Sequence, residues 1–161
     1  MIMDTKDILL FESGDGGEMS IMSNDLALSE TLYQQVYLAL FGGNVQQNTK
    51  SDFLISEQRF DYWGNSLIWN TQQSRQFNSN TERVLNQVAL NGSGRLKIIQ
   101  AVVDDLEYLN DLLTATVDVQ FLETNKIRIT VSFVPKGNQE NKVLQLVYNN
   151  AKNELIIEEI I

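Results

Sequence analysis

Asp104, Asp105, Glu107 and Asp111 fall within eight residues of one another. Two carboxylates held across a sugar are the equipment of glycoside hydrolysis, one acting as acid and the other as base or nucleophile. Leu106 and Leu109 lie between them, so a helix that buries its leucines turns these acids to the wet side, and a charged helix face is the reading the pattern favours. Glu12, Asp15 and Glu18 around Gly14, Gly16 and Gly17 offer oxygen ligands suited to calcium. Their spacing departs from the D-x-D-x-D-G loop with a distal Glu, and a solvated hairpin turn accounts for them. Ser13-Gly14-Asp15-Gly16-Gly17 has the glycines of a phosphate cradle without the Lys-Ser/Thr of a P-loop, and no helix follows it directly. No catalytic residue, metal ligand or cofactor is expected from these sets.

The chain has no cysteine and no histidine. That removes disulfides, thiolate nucleophiles, Ser-His-Asp and Cys-His triads, and soft-ligand zinc or copper sites. The aromatic segment carries more weight. Phe60, Tyr62, Trp63 and Trp69 put four of fourteen aromatic residues into ten positions of residues 44–80, a stretch rich in Asn, Gln and Ser that Phe53-Leu54-Ile55 also interrupts. Burying one such ring contributes roughly 2–3 kcal/mol. These rings either plug a gap in the core, with Gly64 allowing the bend, or anchor an interface, where Trp and Tyr dominate the energetics. The terminal run Leu155 to Ile161, with Leu155 and Ile157 in it, is a second interface candidate, because an apolar edge strand pairs readily with another chain. A strand buried at the sheet's edge is its bland alternative.

The elements that would position these residues are legible from period and punctuation. Ile8 to Phe11 and Met19 to Met22, separated by the glycine-rich turn, predict a β-hairpin. Asp25 to Leu28 is a short link, and Ser29 is placed to cap a helix with Leu32, Val36 and Leu40 on one ridge and Tyr33, Tyr37 and Phe41 on the next. Gly42-Gly43-Asn44 ends it. Ser79-Asn80-Thr81-Glu82 fits a capping box ahead of Val84, Leu85, Val88 and Ala89. Ser93 can cap a further helix with Leu96, Ile99, Val103 and Leu106 on one face, Asp104, Asp105 and Glu107 outward, and an end near Asn110. From Thr114 the period becomes two. Strands follow around 116–121, 127–133, 143–148 and 155–157, with turns at Glu123 to Lys126 and Pro135 to Gly137. The fold class expected is α+β: an N-terminal hairpin, three helices and a C-terminal antiparallel sheet of three or four strands with helices on one face, in a single domain over residues 1–161.

At 161 residues, 43% hydrophobic and 20% charged, the chain has ordinary globular composition. Its net charge of −9 repels phosphate backbones and anionic lipid surfaces, so neither nucleic acid nor a membrane is an expected partner. Seven acids stand against Lys6 in the first 31 residues, which points that end toward a basic partner or toward solvent. No signal-peptide pattern and no apolar run near the roughly 20 residues of a membrane span is present, so a cytosol-like compartment is expected.

Taken in order, Asp7-Ile8-Leu9-Leu10, then Asn24-Asp25-Leu26-Ala27-Leu28 leading into a helix that ends Leu40-Phe41-Gly42-Gly43, then Tyr62-Trp63-Gly64-Asn65 followed by Leu67-Ile68-Trp69, and finally Val134-Pro135-Lys136-Gly137, resemble the phage Mu-type tail baseplate protein family of contractile-tail wedge proteins. The resemblance covers residues 5 to 137. Tyr62 stands where the family has its first Trp, and Asn65 and Lys136 stand where it has acids. It implies a non-enzymatic structural subunit of a phage or prophage-derived baseplate, partnered by other baseplate and tail proteins. It implies no cofactor and no small-molecule substrate, and residence in the virion tail after assembly in the host cytoplasm. Two other classes stay open on the residues alone: an acidic cytosolic adaptor or inhibitor that binds a basic partner, and a carboxylate-dependent cell-wall glycosidase.

Overall fold

A computed structural model describes residues 6–12, 17–19, 21–43, 71–72, 76–137, 140–152 and 154–160. The chain divides into two compact units, Ile2–Ser79 and Asn80–Ile161. Together they hold antiparallel strands and three α-helices among the described residues, so the fold is α+β with an N-terminal hairpin and a four-stranded C-terminal sheet.

The first unit starts as a set of short two-stranded ladders. Strand β1 (Lys6–Ile8) pairs with β6 (Leu28–Glu30), β2 (Leu10–Glu12) with β3 (Gly17–Met19), and β4 (Ile21–Met22) with β5 (Asp25–Leu26), all antiparallel. The glycine-rich hairpin forms, with Leu10 opposite Met19 and Glu12 opposite Gly17. Ile8 lies instead opposite Leu28. The expected link over Asp25 to Leu28 is strand: Ser23 and Asn24 both adopt positive φ, 53° and 64°. Two consecutive left-handed residues turn a hairpin whose twist matches its strands. Ser29 accordingly sits in β6 opposite Asp7, and helix α1 (Thr31–Phe41) begins two residues later.

Helix α1 is buried on more than one face. Every residue from Val36 to Phe41 is buried, and the Tyr37 and Phe41 rings lie 5.6 Å apart. An apolar helix without a wet side belongs in an interior, and this sequence carries no charge between Thr31 and Phe41 to contradict that. Gly43, with φ 102°, turns the chain out of it. The Ser79 hydroxyl secures that end, donating to the Ala39 carbonyl at 2.9 Å and accepting from the Gly42 amide at 3.1 Å.

In the second unit, α2 (Asn80–Gln87) and α3 (Gly92–Leu106) pack together, and α3 runs along the sheet's first strand. A 3-10 turn, Glu107–Leu109, ends near Asn110 as the sequence indicates. Strands β7 (Leu113–Glu123), β8 (Lys126–Pro135), β9 (Lys142–Asn149) and β10 (Glu154–Ile160) form one antiparallel sheet in the order β10-β9-β8-β7. Its alternation follows the sequence period. Ile127, Ile129, Val131 and Phe133 stand opposite Tyr148, Leu146, Leu144 and Lys142, and the apolar members of both rows are at most 1% exposed. From this face the Tyr148 hydroxyl donates to Asn86 Oδ1 of α2 at 3.3 Å, which ties helix to sheet.

Two expectations about α3 are corrected. Its cap is Asn91, whose Oδ1 accepts from the Gly94 amide at 2.9 Å, while the Ser93 hydroxyl donates to the same oxygen. Its buried face is Ile98, Ala101, Val102 and Leu106; Leu96 and Val103 are exposed. The sequence holds two overlapping apolar stripes, and only the packing partner selects between them. Gly94 meets the Ala89 carbonyl so closely that a β-carbon there would overlap it. Gly94→Ala is therefore expected to destabilise the second unit by about 1–3 kcal/mol, although alanine is the better helix former, measured as a shift in denaturant midpoint.

Candidate functional site

Of the residues nominated as an interface, Phe60, Tyr62, Trp63 and Trp69 lie outside the described residues. Leu155 is half-buried on β10, opposite Tyr148. Ile157 pairs through its main chain with Leu146, just before a register shift that separates Ile157 from Glu159. Strand β10 forms one edge of the sheet, as the terminal run suggests, and Ile156 on it is 51% exposed. The bulge within β10 limits how long a straight ladder any added strand could build there.

The acids on α3 and just after it separate into different roles. Asp105, expected to face outward, is half-buried and accepts three hydrogen bonds: Asn80 N–H to both oxygens at 2.8 and 2.9 Å, and Thr81 N–H at 2.7 Å. It caps the start of α2 from another helix, where a negative charge also suits the dipole. Burial raises its pKa above the ordinary carboxylate value, against the pull of the Asn80 and Thr81 amides. Asp104 is exposed and accepts from Gln100 Nε2 at 2.7 Å, and Glu107 and Asp111 are exposed. Asp105 is thus committed to a helix terminus, and a carboxylate pair that includes it would have to break that cap. Asp118 on β7 has a lowered pKa, first through the Gln120 side-chain amide and then through Arg95, whose guanidinium lies 3.0 Å away. Among the described residues no group of three acids is placed to hold a metal ion.

The N-terminal end, nominated for its acids as a surface for a basic partner, also exposes apolar residues that sequence reading missed. Met19, Ile21, Met22, Leu26 and Leu28 are all exposed, Ile21 by 73% and Met22 by 65%. Asp7 and Asp25 lie among them in the ladders, with their carboxylates bonded to the next residue's amide. Scattered exposed apolar residues are normal, but five large ones within ten residues, on three short ladders, leave more apolar surface in water than such a stretch usually does. Two-stranded ladders also carry little stability of their own. The signal was present in Ile21-Met22 and Leu26, flanking Ser23-Asn24, had that pair been read as a turn. No protein-family model, curated protein or solved structure matches this chain.

Proposed function

We propose that this chain is a non-enzymatic structural subunit of a contractile phage or prophage-derived tail baseplate, working by burying surface against neighbouring subunits. The baseplate identity rests on the motif order from Asp7 to Gly137. The mode of action rests on one observation: large apolar side chains stand exposed on the acidic N-terminal ladders. Such a surface gains stability when a partner covers it, and the charge around it favours a partner surface with basic residues at its rim.

The test is incorporation. In a producing host, the native protein is expected to sediment with assembled tail particles and to crosslink to other tail proteins from position 21. Ile21→Glu with Met22→Glu is expected to fold normally, since both side chains are exposed, and to enter particles at least roughly tenfold less, the loss expected when interface anchors are replaced by charges. A native protein absent from tail particles overturns the baseplate reading. The acid-rich N-terminus also suits a soluble adaptor for a basic protein; a one-to-one complex that weakens steeply with salt, formed away from any particle, would favour that reading instead.

A further inference from the structure

Strand β7 is the other edge of the sheet among the described residues. Arg95 reaches from α3 to donate through Nε to the Val119 carbonyl, and its guanidinium pairs with Asp118. A carbonyl at Val119 that faces Arg95 is turned away from β8. By the two-residue alternation of an antiparallel ladder, the main-chain groups of Ala115 and Val117 face the same open side. The register is continuous from Leu113 to Phe121, so this parity holds across the stretch. Neither Ala115 nor Val117 has a main-chain partner on that side among the described residues.

Beside this open stretch runs a cleft of about 240 Å3 between β7 and the end of α3, lined by Val103, Asp104, Glu107, Asn110, Ala115 and Val117. Val103 is 47% exposed in it. Val103, Ala115 and Val117 give it apolar lining, Asp104 and Glu107 make one side acidic, and no cation lines it among the described residues.

We propose that this cleft receives an extended segment of a neighbouring protein that adds to β7 as a short strand. Its main chain pairs with Ala115 and Val117, and Arg95 stops it at Val119. Side chains two apart on a strand share a face. One apolar side chain of the segment enters beside Val103, and the next on that face is a lysine or arginine that meets Asp104 or Glu107. The main-chain bonds supply binding and the paired side chains supply selection. This inference rests on the assembly reading above and names a partner chemistry for it.

The probe is the peptide acetyl-Thr-Val-Thr-Lys-Thr-amide, titrated into the isotope-labelled full chain, with glutamate replacing its lysine as control. Saturable amide shifts centred on Val103, Ala115 and Val117, absent with the control, are the expected result. Val117→Pro removes the outward N–H at an edge position that tolerates proline, and is expected to weaken binding roughly tenfold, the equivalent of one or two hydrogen bonds. Should that variant fail to fold, Val103→Asp, at an exposed position, serves the same purpose and is expected to abolish binding. Asp104→Asn with Glu107→Gln is expected to weaken binding several-fold at low salt and to remove its salt dependence. No saturable shift at millimolar peptide, shifts centred elsewhere, or native affinity in Val117→Pro or Val103→Asp overturns the proposal. If the peptide fails while the Ile21 and Met22 variant still loses incorporation, only the cleft proposal falls. If the peptide binds while the native protein never enters particles, the baseplate reading falls and the cleft stands.

Discussion

Phe133→Ala is expected to lower the stability of the unit Asn80–Ile161 by about 3–5 kcal/mol, the usual cost of deleting a fully buried ring and leaving its cavity. Phe133 is 0% exposed, on a strand bonded on both sides, opposite Ala115 on β7 and Lys142 on β9. Neither the small Ala115 nor the stem of Lys142 can fill the space, so relaxation recovers little of the loss. In a domain of this size each kcal/mol moves the thermal midpoint by roughly 4–8 °C, and the variant should be largely unfolded at temperatures where the native chain is intact. Ile156→Ala is the contrast: the side chain is 51% exposed on an edge strand, and its loss should cost well under about 1 kcal/mol. Equal effects of the two substitutions in chemical denaturation would mean that the buried face of the sheet has been wrongly identified.

Asp105→Ala should rank next, at about 2 kcal/mol near neutral pH, because it strips the Asn80 and Thr81 amides of their acceptor and leaves the N-terminus of α2 uncapped. Asp105→Asn keeps one acceptor oxygen and should cost less. The pH dependence has a definite sign. Because burial raises the carboxyl above its ordinary value in the folded chain, the folded state holds the proton more tightly than the unfolded one. The contribution of this group is then fullest below the ordinary carboxylate value and declines as pH rises through the raised one. Relative to Asp105→Asn, which does not titrate, the native protein should lose stability as pH climbs through that acidic window and run parallel above it. A difference that grows in favour of the native protein with rising pH would show that the amide hydrogen bonds outweigh burial. Asp118 moves oppositely, its lowered value giving stability that is lost on acidification, which is why the comparison must be made against the variant.

How much of this could be read from residue order differs between the two units. In the second, all four strands were legible, although β7 starts three residues earlier and β10 ends three residues later than the sequence pattern marks. Ile127 to Phe133 and Leu144 to Tyr148 alternate strictly, and a strand with one buried face has only one register that keeps those rows inside. The helices were legible as helices but not by face. Leu96 and Val103 share a period with buried neighbours, and apolar stripes that overlap by one residue cannot be ranked without the surface they meet. Asp105 was misplaced for a related reason. A cap from the following helix, across 24 and 25 positions, leaves no local spacing to recognise, whereas the Asn91 cap on Gly94 is three residues away.

In the first unit, residue order was enough to mark the glycine-rich hairpin, an uncharged apolar helix and the glycines that end it. It also determined the absence of cysteine and histidine and the acidity of the N-terminus, since these belong to composition and local conformational preference. Packing decides that β1 pairs with β6 rather than within the hairpin, that Leu28 is left in water, and that Ala115 and Val117 on β7 have no outward main-chain partner among the described residues. Each of those depends on which distant segment arrives to cover a surface. Burial and main-chain pairing are properties of two surfaces meeting, and the order of residues along one strand specifies only half of that encounter.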